Sequence, residues 1–246
     1  MPIFFLPAHA VTPPSITVPA ELLAHLRDSL RVEVGEEVIF ADGQGARYRT
    51  EITHSSKQGL SGRIIETLQE PPRQAPAVML GQALLKGEKM DWVIQKATEL
   101  GVSQIVPIQS RHTIVQLRPE RVESQLARWQ RIALEAAQQS EQWRIPTIAQ
   151  PKSMRDVCAS PSGESVRLLL AERRDGESLR TLSLPTTATA SILALIGPEG
   201  GWTEEEMNQA EQSGYLPITL GQHILRAETA AITTVGILQH RLGELG

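Results

Sequence analysis

Residues 193 to 207, LALIGPEGGWTEEEM, set an apolar run, a glycine-rich turn and an acidic segment side by side. Glycines between a strand and a helix usually bring backbone N–H groups and the positive helix end up to a phosphate. Here the helix start argues otherwise. Thr203 and Glu206 match a capping box, Trp202 and Met207 sit at the two positions of a hydrophobic staple, and Gly214 marks a stop, so the spacing predicts a helix over 204–213. Its first turn is Glu204, Glu205 and Glu206, which would complement the helix dipole from within and repel a polyanion. The loop has no P-loop Lys and Ser/Thr, Pro198 has no N–H to donate, and the glycines are not spaced as G-x-G-x-x-G. A neutral or cationic ligand suits it better than a phosphate. A tight strand-to-helix turn with no ligand is the competing reading.

Working outward, apolar runs at 77–85, 104–108, 166–171, 191–196 and 216–221 alternate with helical patterns near 88–100, 119–139, 153–159, 204–213 and 228–242. Short continuous apolar strands between helices predict an α/β fold with a mostly parallel sheet covered on both faces. Ligands of such sheets gather beyond the carboxyl ends of the strands, where AERRDGE (171–177), GPEGGW (197–202) and GQHILRAETA (221–230) fall. In the last of these, Ile224 and Leu225 precede Arg226 and Glu228, and the following helix opens with small residues that allow close backbone packing. Arg226 reads either as a cap on a neighbouring carbonyl or as a ligand-facing cation held between apolar anchors.

EPPRQAP (70–76) contains three prolines and reads as a linker. Before it, strands at 3–6, 37–41, 46–53 and 60–67, a helix at 19–30 and turns such as DGQG and KQGLSG predict a small β-barrel-like domain. The division is therefore 1–70, a linker over 71–76, and 77–246.

Composition narrows the function. The 246 residues are 41% hydrophobic and 21% charged, ordinary for a globular protein. One cysteine, Cys158, excludes an internal disulfide and suits a reducing cytosol. Six histidines without ligand spacing imply no metal, the opening MPIFFLPAHA lacks the basic region of a signal peptide, and no apolar run is long enough to span a bilayer. A net charge of −4 argues against a nonspecific nucleic-acid binder. Locally, 86–131 carries eight Lys/Arg against five Asp/Glu, and Arg173 with Arg174 forms a second small basic cluster. Either could touch phosphates or be a solvated helix face.

LIGPEGGWTEEE and LGQHILRAETA together resemble the RsmE-type family of small-subunit ribosomal RNA uridine-N3 methyltransferases, in the SPOUT superfamily. KGEKMDWVIQKATELGVSQIVPI (86–108) and RWQRIALEAAQQS (128–140) look like that family too, and HLRDSLRVEVGEEV more weakly resembles its PUA-like RNA-binding domain. The resemblance implies a SPOUT-type C-terminal domain with a trefoil knot, a PUA-like N-terminal domain, and S-adenosylmethionine bent among the knot loops. It implies donor contacts, mainly from the main chain, at Leu195, Ile196, Gly197, Pro198, Glu199, Gly200 and Gly201, and at Leu220, Gly221, Ile224, Leu225, Arg226, Thr229 and Ala230.

The activity so implied is methyl transfer to N3 of a uridine in the decoding region of 16S ribosomal RNA, within the small subunit and in the cytoplasm. N3 becomes nucleophilic only when its proton leaves, so Arg226 is the expected stabiliser of the anionic base, with Glu199 and Glu228 as proton acceptors or loop-ordering groups and water as the alternative acceptor. A homodimer is expected as well, from the family and from Ile232, Val235 and Leu238 at helical spacing. The alternatives are a noncatalytic RNA-binding adaptor of the same shape and a phosphate-binding nucleotide enzyme. The intact loops speak against the first, and the three glutamates with no lysine against the second.

Overall fold

A computed structural model describes residues 3–24, 32–56, 59–160, 166–171 and 176–246. The second half of the helix expected at 19–30, part of the KQGLSG turn, the Arg173–Arg174 pair and most of the AERRDGE loop lie outside the described residues. The chain packs as two compact units. One comprises Met1–Pro72 with Ala137–Ile145, the other Arg73–Ala136 with Pro146–Gly246.

The first unit holds β1 (Ile3–Phe5), β2 (Val11–Thr12), β3 (Ser15–Thr17), α1 (Ala20–Ala24), β4 (Glu37–Ala41), β5 (Ala46–Ser55) and β6 (Leu60–Gln69). These strands form one sheet in the order β1-β4-β5-β6-β3-β2, with β1 parallel to β4 and the other pairs antiparallel. Alternation in β4 turns Val38 and Phe40 inward, and they meet Phe4 of β1, Ile16 of β3, Ile52 of β5 and Leu60 of β6 in one core. Strands from both halves of the sheet share that core, so the sheet is curled. The expectation missed the short β2 and β3, whose two and three residues carry almost no periodic signal.

The segment 137–145 belongs to this unit for specific reasons. Arg47 donates to Glu141 O and lies 3.7 Å from the Trp143 ring centroid, Arg144 pairs with Glu70, and Ile145 N donates to Gly43 O. A division drawn along the sequence at the proline-rich stretch could not show this.

The second unit contains β7 (Ala77–Ala83), α2 (Lys89–Glu99), β8 (Gln104–Gln109), α3 (Pro119–Gln139, whose last residues count with the first unit), β9 (Thr147–Ile148), β10 (Lys152–Ser153), α4 (Met154–Ala159), β11 (Val166–Leu170), β12 (Glu177–Ser178), β13 (Ser191–Ile196), α5 (Glu204–Gln212), β14 (Leu216–Thr219) and α6 (Ala227–Arg241). Its sheet runs β10-β8-β7-β13-β11-β14-β12, with β9 beside β8, and every pair is parallel. Near-continuous burial of Val78, Leu80, Ile192, Ala194, Leu195 and Leu168 fits a sheet covered on both faces. In β7, Gly81 faces Leu195 across the ladder, and a Cβ there would come within 2.3 Å of the leucine side chain, so β13 can keep its large residue only opposite a glycine. Helix α6 packs on α2, β7 and β13. Val235 and Leu238 are therefore completely buried within the protomer, which corrects the expectation that they prepare a dimer interface. Helical spacing marks an apolar face but does not say what covers it.

Candidate functional site

The parallel register aligns the carboxyl ends of β7, β8, β13 and β14, and the segments 84–88, 110–118, 197–203 and 220–226 follow them. Two of these carry the expected site residues.

The 197–203 loop is held by the protein itself. The capping box forms as expected: Thr203 Oγ1 accepts from Glu206 N at 3.2 Å, and Glu206 Oε2 accepts from Thr203 N at 2.9 Å. Trp202 and Met207 are both buried in the same core cluster, as a staple requires. Glu206 is also buried, and its Oε1 accepts from Arg111 N at 2.9 Å, while Glu205 pairs with Arg111 at 3.3 Å. Two of the three glutamates thus tie α5 to the segment after β8. His112 Nδ1 lies 3.1 Å from both Gly200 O and Gly201 O. A Cβ on Gly200 would sit 3.0 Å from His112 Cβ, and one on Gly197 would be 3.3 Å from the Trp202 ring. These two glycines make room for the protein's own side chains. Leu195, Ile196 and Pro198 are buried, so only their main chain could serve a ligand.

Glu199 is not a free base. Its carboxylate lies 3.3 Å from Lys89 Nζ and 3.4 Å from Lys86 N, and the same ammonium is 3.3 Å from Glu228 Oε2. Glu228 Oε2 is buried and makes an ion pair rather than a directed hydrogen bond. Burial raises the Glu199 pKa, but its own N–H, the Lys86 N–H and Lys89 outweigh that and hold it below the usual carboxylate range. For Lys89, desolvation pulls the pKa down, yet the two carboxylates prevail and raise it. Lys89, in the first turn of α2, was not singled out by sequence reasoning. It joins the loop after β13 to the first turn of α6.

The 220–226 loop is the opposite case. Gly201 ends the first loop with φ +69° and Gly221 opens the second with φ +127°, and a Cβ on either would meet nothing within 4 Å. A small cleft is lined by Leu170, Thr219, Leu220, Gly221, Leu225 and Ala230. Ile224 and Leu225 both line the cleft, but Ile224 is 70% exposed and only Leu225 is half-buried, which corrects the reading of two apolar anchors. Arg226 is the N-cap of α6 with an extended backbone. Its exposed side chain has no hydrogen bond or ion pair among the described residues, so no carbonyl cap is formed there. Thr229 is exposed and Ala230 buried, one turn into α6.

Compared with known proteins, residues 72–239 match the family model of an RNA methyltransferase domain, and residues 18–65 that of an RNA methyltransferase PUA domain. The chain is 32% identical over 226 residues, 92% of this chain and 72% of the other, to a ribosomal RNA small subunit methyltransferase E from Synechocystis. It is similar, at 31% identity, a TM-score of 0.87 and 98% coverage of both chains, to a crystal structure of a ribosomal RNA small subunit methyltransferase E from Neisseria gonorrhoeae bound to S-adenosyl methionine. A methyltransferase from Legionella pneumophila in complex with the same cofactor follows at 28% identity, a TM-score of 0.85 and 97% coverage of both chains.

Proposed function

The chain belongs to the ribosomal RNA small subunit methyltransferase E family, and from that premise we propose that it transfers a methyl group from S-adenosylmethionine to N3 of a uridine in the decoding region of 16S ribosomal RNA. The observation that carries the reading is the exposed Arg226, without a partner among the described residues, at the edge of a cleft bounded by its own loop.

The residues present fit the donor. Apolar walls at Leu170, Leu225 and Ala230, the open left-handed turns at Gly201 and Gly221 and the main chain between Leu220 and Ile224 suit an uncharged adenosine better than a phosphate. When bound, S-adenosylmethionine supplies an electrophilic methyl carbon. Leu195, Ile196, Gly197, Pro198, Glu199, Gly200 and Gly201, with Leu220, Gly221, Ile224, Leu225, Arg226, Thr229 and Ala230, would hold it.

Uridine N3 is a weakly acidic imide, and its lone pair attacks only as the proton departs. Arg226 keeps its charge throughout, so it stabilises the uridinate more than the neutral base and acts where charge develops. Glu199 and Glu228, clamped by Lys89, order the two loops; Glu199, held below the usual carboxylate range, is a poor proton acceptor and Glu228 is engaged by Lys89, which leaves the proton to solvent.

The same proposal includes a trefoil-knotted second unit, an RNA-binding first unit, a homodimer and a cytoplasmic site of action. No helix among the described residues is long and apolar enough to cross a membrane. Mass-spectrometric mapping of 16S ribosomal RNA from cells with and without the protein tests the reading directly. An N3-methyluridine that disappears with the protein supports it, and an unchanged modification pattern overturns it. Titration with S-adenosylmethionine and with ATP separates a methyl-donor site from a phosphate site.

A further inference from the structure

Beyond the donor cleft, the second unit has a cavity of about 240 Å³ whose apolar wall is made by Leu85, Met90, Val115, Leu117 and Trp129. It lies between two segments already tied to the 197–203 loop. Gly87 and Glu88 line it between Lys86 and Lys89, which hold Glu199; Val115 lines it a few residues after Arg111 and His112, which hold Glu206 and the Gly200 and Gly201 carbonyls. Its polar side is mixed. Asp91 accepts from Arg128 at 2.5 Å and 3.0 Å, Gln125 adds an amide, and the buried indole N–H of Trp129 has no acceptor among the described residues.

A row of side chains leads to this cavity. Arg121, Gln125 and Arg128 are spaced four and three residues apart, the spacing of one face of α3, and Arg118 lies just before its first residue. The three arginines are exposed, and the side chains of Arg118 and Arg121 have no partner among the described residues. Of these, Arg128 lines the cavity, and Arg118 and Arg121 precede it along the same stretch of chain.

We propose that this cavity receives an unstacked nucleobase of the substrate RNA, a neighbour of the methylated uridine, while Arg118 and Arg121 contact the phosphates of the same strand. A base presents flat apolar faces to walls such as Leu117 and Met90 and polar edges to groups such as Gln125 and Asp91. Single-stranded RNA is recognised by splaying bases into pockets of that kind, with cations tracking the backbone. The cavity's volume suits one planar base. An uncharged alkyl ligand would leave the arginine row unused, and a free phosphate would meet Asp91 and Glu88. The inference rests on the methyltransferase reading and adds where the RNA lies.

The test uses full-length protein and purified small ribosomal subunits lacking the modification, with methyl transfer and S-adenosylmethionine affinity measured separately. Leu117→Trp fills the cavity from a half-buried position. It is expected to raise KM for the subunit about tenfold, the scale of one lost base contact, with donor affinity unchanged. Arg121→Gln, at an exposed helix position, is expected to lower the slope of log affinity against log salt by about one. A wild-type KM in Leu117→Trp, or a wild-type salt slope in Arg121→Gln, overturns the proposal. A Leu117→Trp protein that changes oligomeric state by sedimentation with KM unchanged would mean that a second copy occupies the cavity, which also overturns it. If wild-type protein does not methylate the subunit, the functional reading fails instead, a result distinct from all of these.

Discussion

The two loops that carry the expected site are built in opposite ways. In GPEGGW, glycine hydrogens face Trp202 and His112, the carbonyls face His112, and the following glutamates cap α5 or bind Arg111. In GQHILRA, the glycine faces open space, Ile224 is exposed, and Arg226 has no partner among the described residues. One loop is a wall whose shape its own contacts fix, with the buried Trp202 indole N–H left unpaired among the described residues; the other keeps its charged side chain available. Preorganisation and reactivity are thus divided between them, with Lys89 as the tie.

Arg226→Ala should have the largest effect. If the open loop supplies the charge that stabilises the uridinate, single-turnover methylation at saturating donor and RNA should slow by about a hundredfold or more, the scale of one lost oxyanion-hole donor. Melting temperature should barely move, because the side chain is exposed. Part of the rate should return at alkaline pH, where more N3 is ionised. A mutant with wild-type rate would transfer the chemistry to the other loop.

Next in size is Lys89→Met, which leaves Glu199 and Glu228 facing each other without the cation. Donor affinity should fall on the order of tenfold by calorimetry. The pH dependence sharpens the assignment. Glu199 is depressed, so its contribution is present above the ordinary carboxylate range and is lost as pH falls through its lowered pKa. Lys89 is raised above 10.5, so its contribution is complete below that value and is lost only as pH rises through the raised pKa. Wild-type affinity should therefore be flat across neutral pH, and the acid limb should move to higher pH in the mutant. An unmoved limb would show that Lys89 does not hold Glu199.

How much of this was legible depended on the range of the interaction. The bounds Glu37–Ala41, Ser191–Ile196 and Pro119–Gln139 follow from periodicity and turn residues that act within one element. So does the Thr203–Glu206 box, three residues apart. Lys89 lies 110 residues from Glu199, and on an amphipathic helix a lysine reads as a solvated face. His112 carries no spacing signal at all. Two adjacent apolar residues in a loop, Ile224 and Leu225, look equivalent in sequence although only one turns inward. Val235 and Leu238 show the same limit, since burial against α2 and against a second protomer leaves one pattern.

Gly200→Val tests the wall itself. Its Cβ alone would already touch His112, so the added methyl groups must displace that ring. Overpacking of this kind costs about 1–3 kcal/mol, readable as a lower melting temperature together with weaker donor binding. Gly221→Ala should behave differently. It has open space but a φ of +127°, so it should cost about 1 kcal/mol through backbone strain. Equal stability loss with equal affinity loss in both variants would erase the distinction between the loops.

The smallest effect should come from Thr203→Ala. The hydroxyl satisfies one orphan donor of α5, Glu206 N, and losing such a cap costs about 1 kcal/mol, a shift of roughly 2–4 °C in Tm for a protein of this size. Donor affinity should change less than about twofold, a small fraction of the 1.4 kcal/mol that a factor of ten represents. Glu206 would still accept from Thr203 N and Arg111 N, and His112 would still face the Gly200 and Gly201 carbonyls. The loop's shape is over-determined by these contacts, and one can be removed without releasing it. If Thr203→Ala instead weakened donor binding as much as Lys89→Met, the wall would depend on its helix cap, and the division between a self-held loop and an available one would fail at its best-supported end.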